Sequence, residues 1–291
     1  MFSLPNITTG FNLLSGICSI IFAFSGRIEL AALFIFLGAI FDFLDGFLAR
    51  LLKKQGELGK QLDSLADIVS FGVAPGILVF ILLIISGAWD IAASNGVAFE
   101  QFWQKGTFGF NINYWISVYL NDLVGNHNEI YPSHFYGWNL FLPFVGLFIP
   151  FFSLFRLAKF NLDTRQSERF IGLPTPANTL FFASFALMLW DGFGSNDWKS
   201  TLSILLIKDQ ILMTLTVLFS ALLVTEIPLF SLKFKTFGWK GNEIRYIFLL
   251  TSLVLIVLLL VWALAIIIIL YLLLSVVENN LFKKNKNEIQ S

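Results

Sequence analysis

Four aspartates, Asp42, Asp45, Asp63 and Asp67, stand close together in a strongly apolar chain. Asp42 and Asp45 lie several residues inside one apolar run, and Asp67 is followed by IVSFGVAPGILVF with no further charge until Asp90. An ionisable residue within a membrane segment costs at least about 2.5 kcal/mol on insertion scales, so such groups face an internal cavity and a partner. Separations of three and four residues put Asp42 with Asp45, and Asp63 with Asp67, on common faces of two helices. Acids crowded in this way repel one another until a cation neutralises them, and hard divalent cations choose carboxylate oxygens. The pattern therefore reads as a site for two divalent ions, Mg or Mn. Such a pair clamps a phosphate and steadies the leaving group of an in-line displacement, which suits a diphosphate substrate.

The neighbours of the acids are small or basic. Gly46 and Ala49 continue the stripe of Asp42, and Gly59 extends that of Asp63 and Asp67, leaving room for a ligand. Arg50, Lys53, Lys54 and Lys60 stand at the same boundary, either as charge-assisted contacts to phosphate or as anchors on the cytoplasmic side. Arg50 is expected to do more than anchor. Arg156 and Lys159, near the end of a later helix, are candidates for a carboxylate or a phosphate oxygen, with anchoring as the equal alternative. Asn6 and Thr9 are candidates to approach the ligand from the first helix, or merely begin that helix. The two histidines, His127 and His134, read as surface residues rather than metal ligands.

Elements that could carry these residues follow from the hydropathy. Of 291 residues, 57% are hydrophobic and only 13% charged, about half the share of a soluble domain. A water-soluble fold could not hide that surface, so the chain is expected to be an all-α, polytopic membrane helix bundle. Apolar stretches recur at about 11–26, 29–50, 64–88, 138–160, 174–191, 210–231 and 246–277. The last has 32 residues. At about 1.5 Å per residue it would reach about 48 Å across a core of about 30 Å, so it is either strongly tilted or a tight hairpin. Eight crossings, a six-helix core plus a C-terminal hairpin, are preferred over seven, although no Gly or Pro near Trp262 marks the turn.

Orientation follows from the basic residues. Fifteen of the nineteen, from Arg50 to Lys60, Arg156 to Arg169, Lys233 to Arg245 and Lys283 to Lys286, fall on one side. Arg27, Lys105, Lys199 and Lys208 fall on the other. The basic-rich side is cytoplasmic, which places both termini and the four acids there. Cys18 is the single cysteine and excludes an intramolecular disulfide. The amino terminus, lacking a basic n-region and a cleavage pattern, reads as a retained helix. The whole of 1–291 reads as one domain, with a non-cytoplasmic, polar and aromatic insertion at 89–137.

From Asp42 the chain runs DFLDGFLARLLKKQGELGKQLDSLAD, with all eight fixed positions of DxxDGxxAR, eight residues, G, three residues, D, three residues, D. It resembles the CDP-alcohol phosphatidyltransferase family. LPNITTGFNLLSG, DSLADIVSFGVAP, RLAKFN and FIGLPTPAN are similar to the phosphatidylserine synthase branch, over helices one to five. The resemblance implies transfer of a phosphatidyl group from CDP-diacylglycerol to a small alcohol, L-serine, by a homodimer in a bacterial cytoplasmic membrane. By the same resemblance Asp42, Asp45 and Asp63 bind metal, Asp67 shares the metal and acts as general base, and Gly46, Ala49 and Gly59 admit the cytidine nucleotide. Lys159 departs from the branch, which has arginine there, and an ammonium cannot copy a bidentate guanidinium grip. Two rivals stand beside this expectation: another acceptor such as glycerol 3-phosphate or an inositol compound, and a divalent-cation transporter. Confinement of the acids to one membrane boundary argues against the transporter.

Overall fold

The computed structural model describes residues 3–96, 108–126, 135, 137–162, 170–192, 198–230, 238–239 and 242–290. Among them every regular element is a helix apart from one ribbon of two two-residue strands. Helix α1 (Leu4–Phe24) starts where the Ser3 hydroxyl accepts from the Asn6 amide at 3.4 Å, with Pro5 in the first turn. Gly26, at φ +74°, reverses the chain into α2 (Ile28–Leu51). Small residues are buried on both helices, Ser15, Ser19 and Ala23 on α1 and Ala31 and Ala32 on α2, and a Cβ added to Gly38 would stand 3.5 Å from Ser15, so the two backbones approach closely as membrane helices do.

After Gly56, α3 (Glu57–Asp67) runs through a wider, π-helical turn at Ile68–Val73 into α4 (Ala74–Ser94). Pro75 explains the irregularity, because it has no N–H to return to the Phe71 carbonyl. The Thr179 hydroxyl donates to that carbonyl instead, at 2.7 Å, while the Ser70 hydroxyl reaches the Asn12 carbonyl at 2.8 Å. The π turn is thus tied to two other helices at the level of the acids. Helix α4 is buried on almost every side, and Gly76 lets Pro150 and the Gly146 carbonyl against it.

The segment expected as an insertion contains the end of α4 and a further helix, α5 (Phe108–Val124). Rather than forming a separate loop, α5 sends Ile112, Ile116 and Tyr119 into the core, and the Tyr119 hydroxyl donates to the Leu140 carbonyl at 2.7 Å. His127 and His134 lie outside the described residues. Short 3-10 turns at Gly137–Leu140 and Leu142–Leu147 lead into α6 (Phe148–Leu162). Helix α7 (Thr175–Gly192) is enclosed, with Phe181 stacked on Phe219 at 3.9 Å. Its mix of Thr, Asn and Ser with Phe suits a central helix that does not face lipid. The stretch expected as one helix at 210–231 is α9 (Asp209–Val224), which ends at Val224 and is preceded by the shorter α8 (Trp198–Ile207), the two meeting at 64° across Lys208.

Strand β1 (Phe170–Ile171) pairs antiparallel with β2 (Pro228–Leu229), and beyond it lie α10 (Glu243–Leu259) and α11 (Ala263–Gln290). Among the described residues, five stretches are long and apolar enough to cross a membrane, or six with the bent pair. One of the five, Glu243–Asn279, folds back on itself. Arg245 lies 3.8 Å from Glu278, and the Phe248 and Tyr271 rings are 5.8 Å apart, contacts a continuous helix would forbid. Leu260, at φ +50°, makes the reversal that no Gly or Pro announced.

Candidate metal centre

Asp42 near the end of α2 and Asp63 and Asp67 on α3 converge where these helices leave the apolar core. One oxygen from each of the three lies within 4.8 Å of the others. Opposed ligand oxygens around one hard divalent ion stand about 4–5 Å apart, so the separations in this trio are of the size that one ion's ligand shell requires. All three line a cavity of about 300 Å³, whose far wall is Arg156 and Phe160 of α6 with Pro174, Thr175 and Pro176 at the start of α7. Among the described residues, no lysine or arginine stands at ion-pair distance from any of the four aspartates. A cluster of acids with no cation in place is a donor set for one.

Asp45 stands apart from the trio. Buried against α1, its Oδ2 accepts from the Thr9 hydroxyl at 2.6 Å. Asp67, also buried, accepts at Oδ1 from the Asn12 amide at 3.0 Å, which leaves its second oxygen for other work. Asn6 is beside Gly59, where an added Cβ would stand 3.7 Å from the Asn6 Oδ1. Helix α1 thus presents Asn6, Thr9 and Asn12, one every three residues, to the two helices that carry the acids. Asn12 was missed in the sequence, although its place in that polar stripe of an apolar helix was a readable signal. Cβ atoms added to Gly16 and Gly38 would meet Ser70 at 2.6 Å and Asn12 at 3.2 Å, so the absence of side chains there lets α1 come this close.

The other expected residues divide. Gly46 faces open space, since a Cβ there would meet nothing within 4 Å, and Ala49 is half-buried. Arg50 is exposed at the end of α2 and is not part of the cavity wall. Arg156 is 4% exposed, donates from Nε to the Leu173 carbonyl at 3.2 Å and lies over the Phe160 ring at 5.5 Å. Lys159 stands outside the cavity wall and pairs with Glu226 at 2.8 Å on the surface. The two cations that the sequence treated as equals therefore have different surroundings. At the rim, the Asn161 amide donates to the Ser64 hydroxyl at 2.8 Å.

Comparison with known proteins adds an independent line. Residues 2–98 match the family described as CDP-alcohol phosphatidyltransferase. Over 190 residues, 64% of the chain, it is 30% identical to the archaetidylserine synthase of Methanothermobacter thermautotrophicus and spans 58% of that protein. Over an equal share it is 27% identical to the CDP-diacylglycerol–serine O-phosphatidyltransferase of Bacillus subtilis, spanning 73% of it. The Saccharomyces cerevisiae protein of that same name is 47% identical over 79 residues, 25% of this chain and 29% of the relative.

Proposed function

We propose, on the similarity of residues 2–98 to the CDP-alcohol phosphatidyltransferase family, that the chain belongs to that family and transfers a phosphatidyl group from CDP-diacylglycerol to L-serine. The convergence of Asp42, Asp63 and Asp67 at one cavity is the observation that carries this reading. The relatives' names agree on serine and differ in the lipid half, so they support the acceptor more than the donor.

Asp42, Asp63 and Asp67, with Asp45 behind them, would hold two divalent ions, Mg or Mn, which when bound would supply positive charge for the diphosphate oxygens and the leaving CMP. Thr9 and Asn12 fix the rotamers of Asp45 and Asp67, as hydrogen bonds to ligand carboxylates do at metal sites. Open space beside Gly46, together with Ala49, Gly59 and Asn6, admits the cytidine nucleotide, and Arg50 meets phosphate at the membrane surface. The free oxygen of Asp67 takes the serine hydroxyl proton. The serine oxygen then bonds to the phosphorus bearing the lipid, and the bond from that phosphorus to the CMP oxygen breaks. Arg156, on the wall opposite the acids, binds the serine carboxylate. Lys159, engaged with Glu226, serves the surface.

The residues from 1 to 291 act as one domain crossing a bacterial cytoplasmic membrane eight times, with both termini and the cavity on the cytoplasmic side, and two copies form a homodimer. The basic-residue asymmetry and the C-terminal hairpin support that arrangement.

The deciding measurement is CMP release by purified protein in detergent with CDP-diacylglycerol and Mg or Mn, comparing serine, glycerol 3-phosphate and inositol, with Asp67→Asn alongside. Serine-dependent release lost in the variant is expected. Release with another acceptor alone would keep the chemistry and replace serine. Folded protein inactive with every acceptor, yet passing divalent ions across proteoliposomes, would make the site a transport pathway.

A further inference from the structure

The C-terminal hairpin lies away from the acids, yet it is bonded to the wall that faces them. Its helix α11 meets the backbone next to β2 at three places. The Asn279 amide donates to the Pro228 carbonyl at 2.6 Å, the Tyr271 hydroxyl donates to the Phe230 carbonyl at 2.9 Å, and the Phe230 amide donates to the Ser275 hydroxyl at 3.4 Å. Phe230 itself is buried between the Phe248 and Tyr271 rings, at 5.7 and 4.9 Å. The other edge of β2 carries β1.

From β1 the connection to the cavity is short. The Gly172 amide donates to the Ile227 carbonyl at 2.9 Å and the Leu173 amide to the Leu222 carbonyl at 3.0 Å. Gly172 is held at φ +77°, and a Cβ there would collide with the Thr225 carbonyl at 2.7 Å, so the chain is threaded tightly under the end of α9. The Leu173 carbonyl receives the Arg156 Nε, and the next three residues, Pro174 to Pro176, are cavity wall. An unbroken series of hydrogen bonds thus runs from α11 through β2 and β1 to the guanidinium and the wall opposite the acids.

A two-stranded ribbon of two residues per strand is too short to hold its own register. A carbonyl that aims a buried guanidinium must nonetheless be fixed, because displacement of a binding group by about 1 Å can cost about 10²-fold in rate. We propose that the C-terminal hairpin is a positioning element for the transfer reaction, in which Asn279 and Tyr271 clamp the ribbon and thereby set Arg156 and the Leu173–Pro176 wall for the acceptor. This rests on the reading of the cavity as the transfer site.

The test compares Asn279→Ala and Tyr271→Phe with Trp262→Phe. The last removes the Trp262 Nε1 bond to Asp191, 2.7 Å long, from the opposite end of the hairpin. Two readouts are taken on the 291-residue protein in detergent. The first is amide hydrogen exchange at Gly172 and Leu173. The second is KM for the acceptor, with KM for CDP-diacylglycerol as the internal reference. Expected are faster exchange at those two amides and an acceptor KM raised about tenfold in Asn279→Ala and Tyr271→Phe, with the CDP-diacylglycerol KM unchanged. Trp262→Phe should lower Tm and leave exchange and KM as they were. Unaltered exchange in the two ribbon variants would overturn the proposal, and so would faster exchange with an unaltered acceptor KM. A wild-type protein that turns over a different alcohol would move the KM measurement to that alcohol, and one with no turnover would sink the functional reading while exchange still reports on the clamp.

Discussion

Acidic side chains are buried or half-buried at both ends of the bundle, and the two ends treat them in opposite ways. At the end reached by α7 and the tip of the hairpin, Asp191 accepts from the Trp262 indole at 2.7 Å and from the Lys199 ammonium at 3.0 Å. Asp122 accepts from the Phe135 amide at 2.8 Å, and Glu29 pairs with Arg27. At the other end, Asp45 accepts from a threonine hydroxyl and Asp67 from an asparagine amide, neither of them charged, and Asp42 and Asp63 stand against one another. Acids with a cation or donor in place join helices. Acids oriented by neutral groups and gathered at a cavity are a donor set for a cation that arrives.

That contrast can be broken most sharply by neutralising the gathered acids. Asp42→Asn or Asp63→Asn should lower kcat for CMP release by about 10³-fold or more, the scale of losing a principal electrostatic contact in a transition state. Thermal melting should place Tm at or above the wild-type value, because one member of a repelling group has gone. A fall in Tm together with kcat would make these acids structural, like those at the far end.

Next in size is the effect of metal. Chelation should abolish turnover and Mg or Mn should restore it. Adding the ion at about 100 times its Kd should stabilise the protein by about 2.7 kcal/mol, read as a rise in Tm. Asp63→Asn should lose most of that rise, whereas Asp191→Ala should retain all of it. Smaller again is Asn12→Ala, which frees the Asp67 carboxylate to rotate and should reduce activity about 10–100-fold, with the metal concentration for half-maximal rate raised. At the opposite end, Asp191→Ala should cost about 1–3 kcal/mol of stability by stranding the indole N–H and the lysine, with the rate per folded molecule unchanged. Lys159→Ala should do least. Its pair with Glu226 is solvent-exposed, and surface pairs are worth at most about 1 kcal/mol, so kcat/KM should stay within about twofold. A tenfold loss would return Lys159 to the site.

Much of the site was legible because it is local. Asp42 and Asp45 within one helix, and Asp63 and Asp67 within another, are separated by single turns, and turn geometry follows from backbone sterics wherever the helix sits. The π turn was legible in principle too, since Pro75 must orphan a carbonyl four residues back. The hairpin was foreseeable from length alone, but its turn was not, because Leu260 adopts a left-handed conformation that only packing of the two arms enforces. The segment around α5 read as a polar insertion because its average composition hides an apolar face, which becomes visible only when Tyr119 and Ile116 have a core to enter.

By itself the sequence determined that the chain is a helical bundle suited to lipid and that four acids recur at helical spacing. It also determined that Arg50, Lys53, Lys54 and Lys60 stand between the two pairs of acids along the chain. Each of these depends on composition or on neighbours within about two turns. Only the tertiary structure decided that Asp42 joins Asp63 and Asp67 while Asp45 turns to Thr9, and that Arg156 enters the cavity while Lys159, three residues later, stays at the surface. Helical spacing gives the direction of a side chain relative to its own axis. Which neighbour lies in that direction depends on how the helices pack.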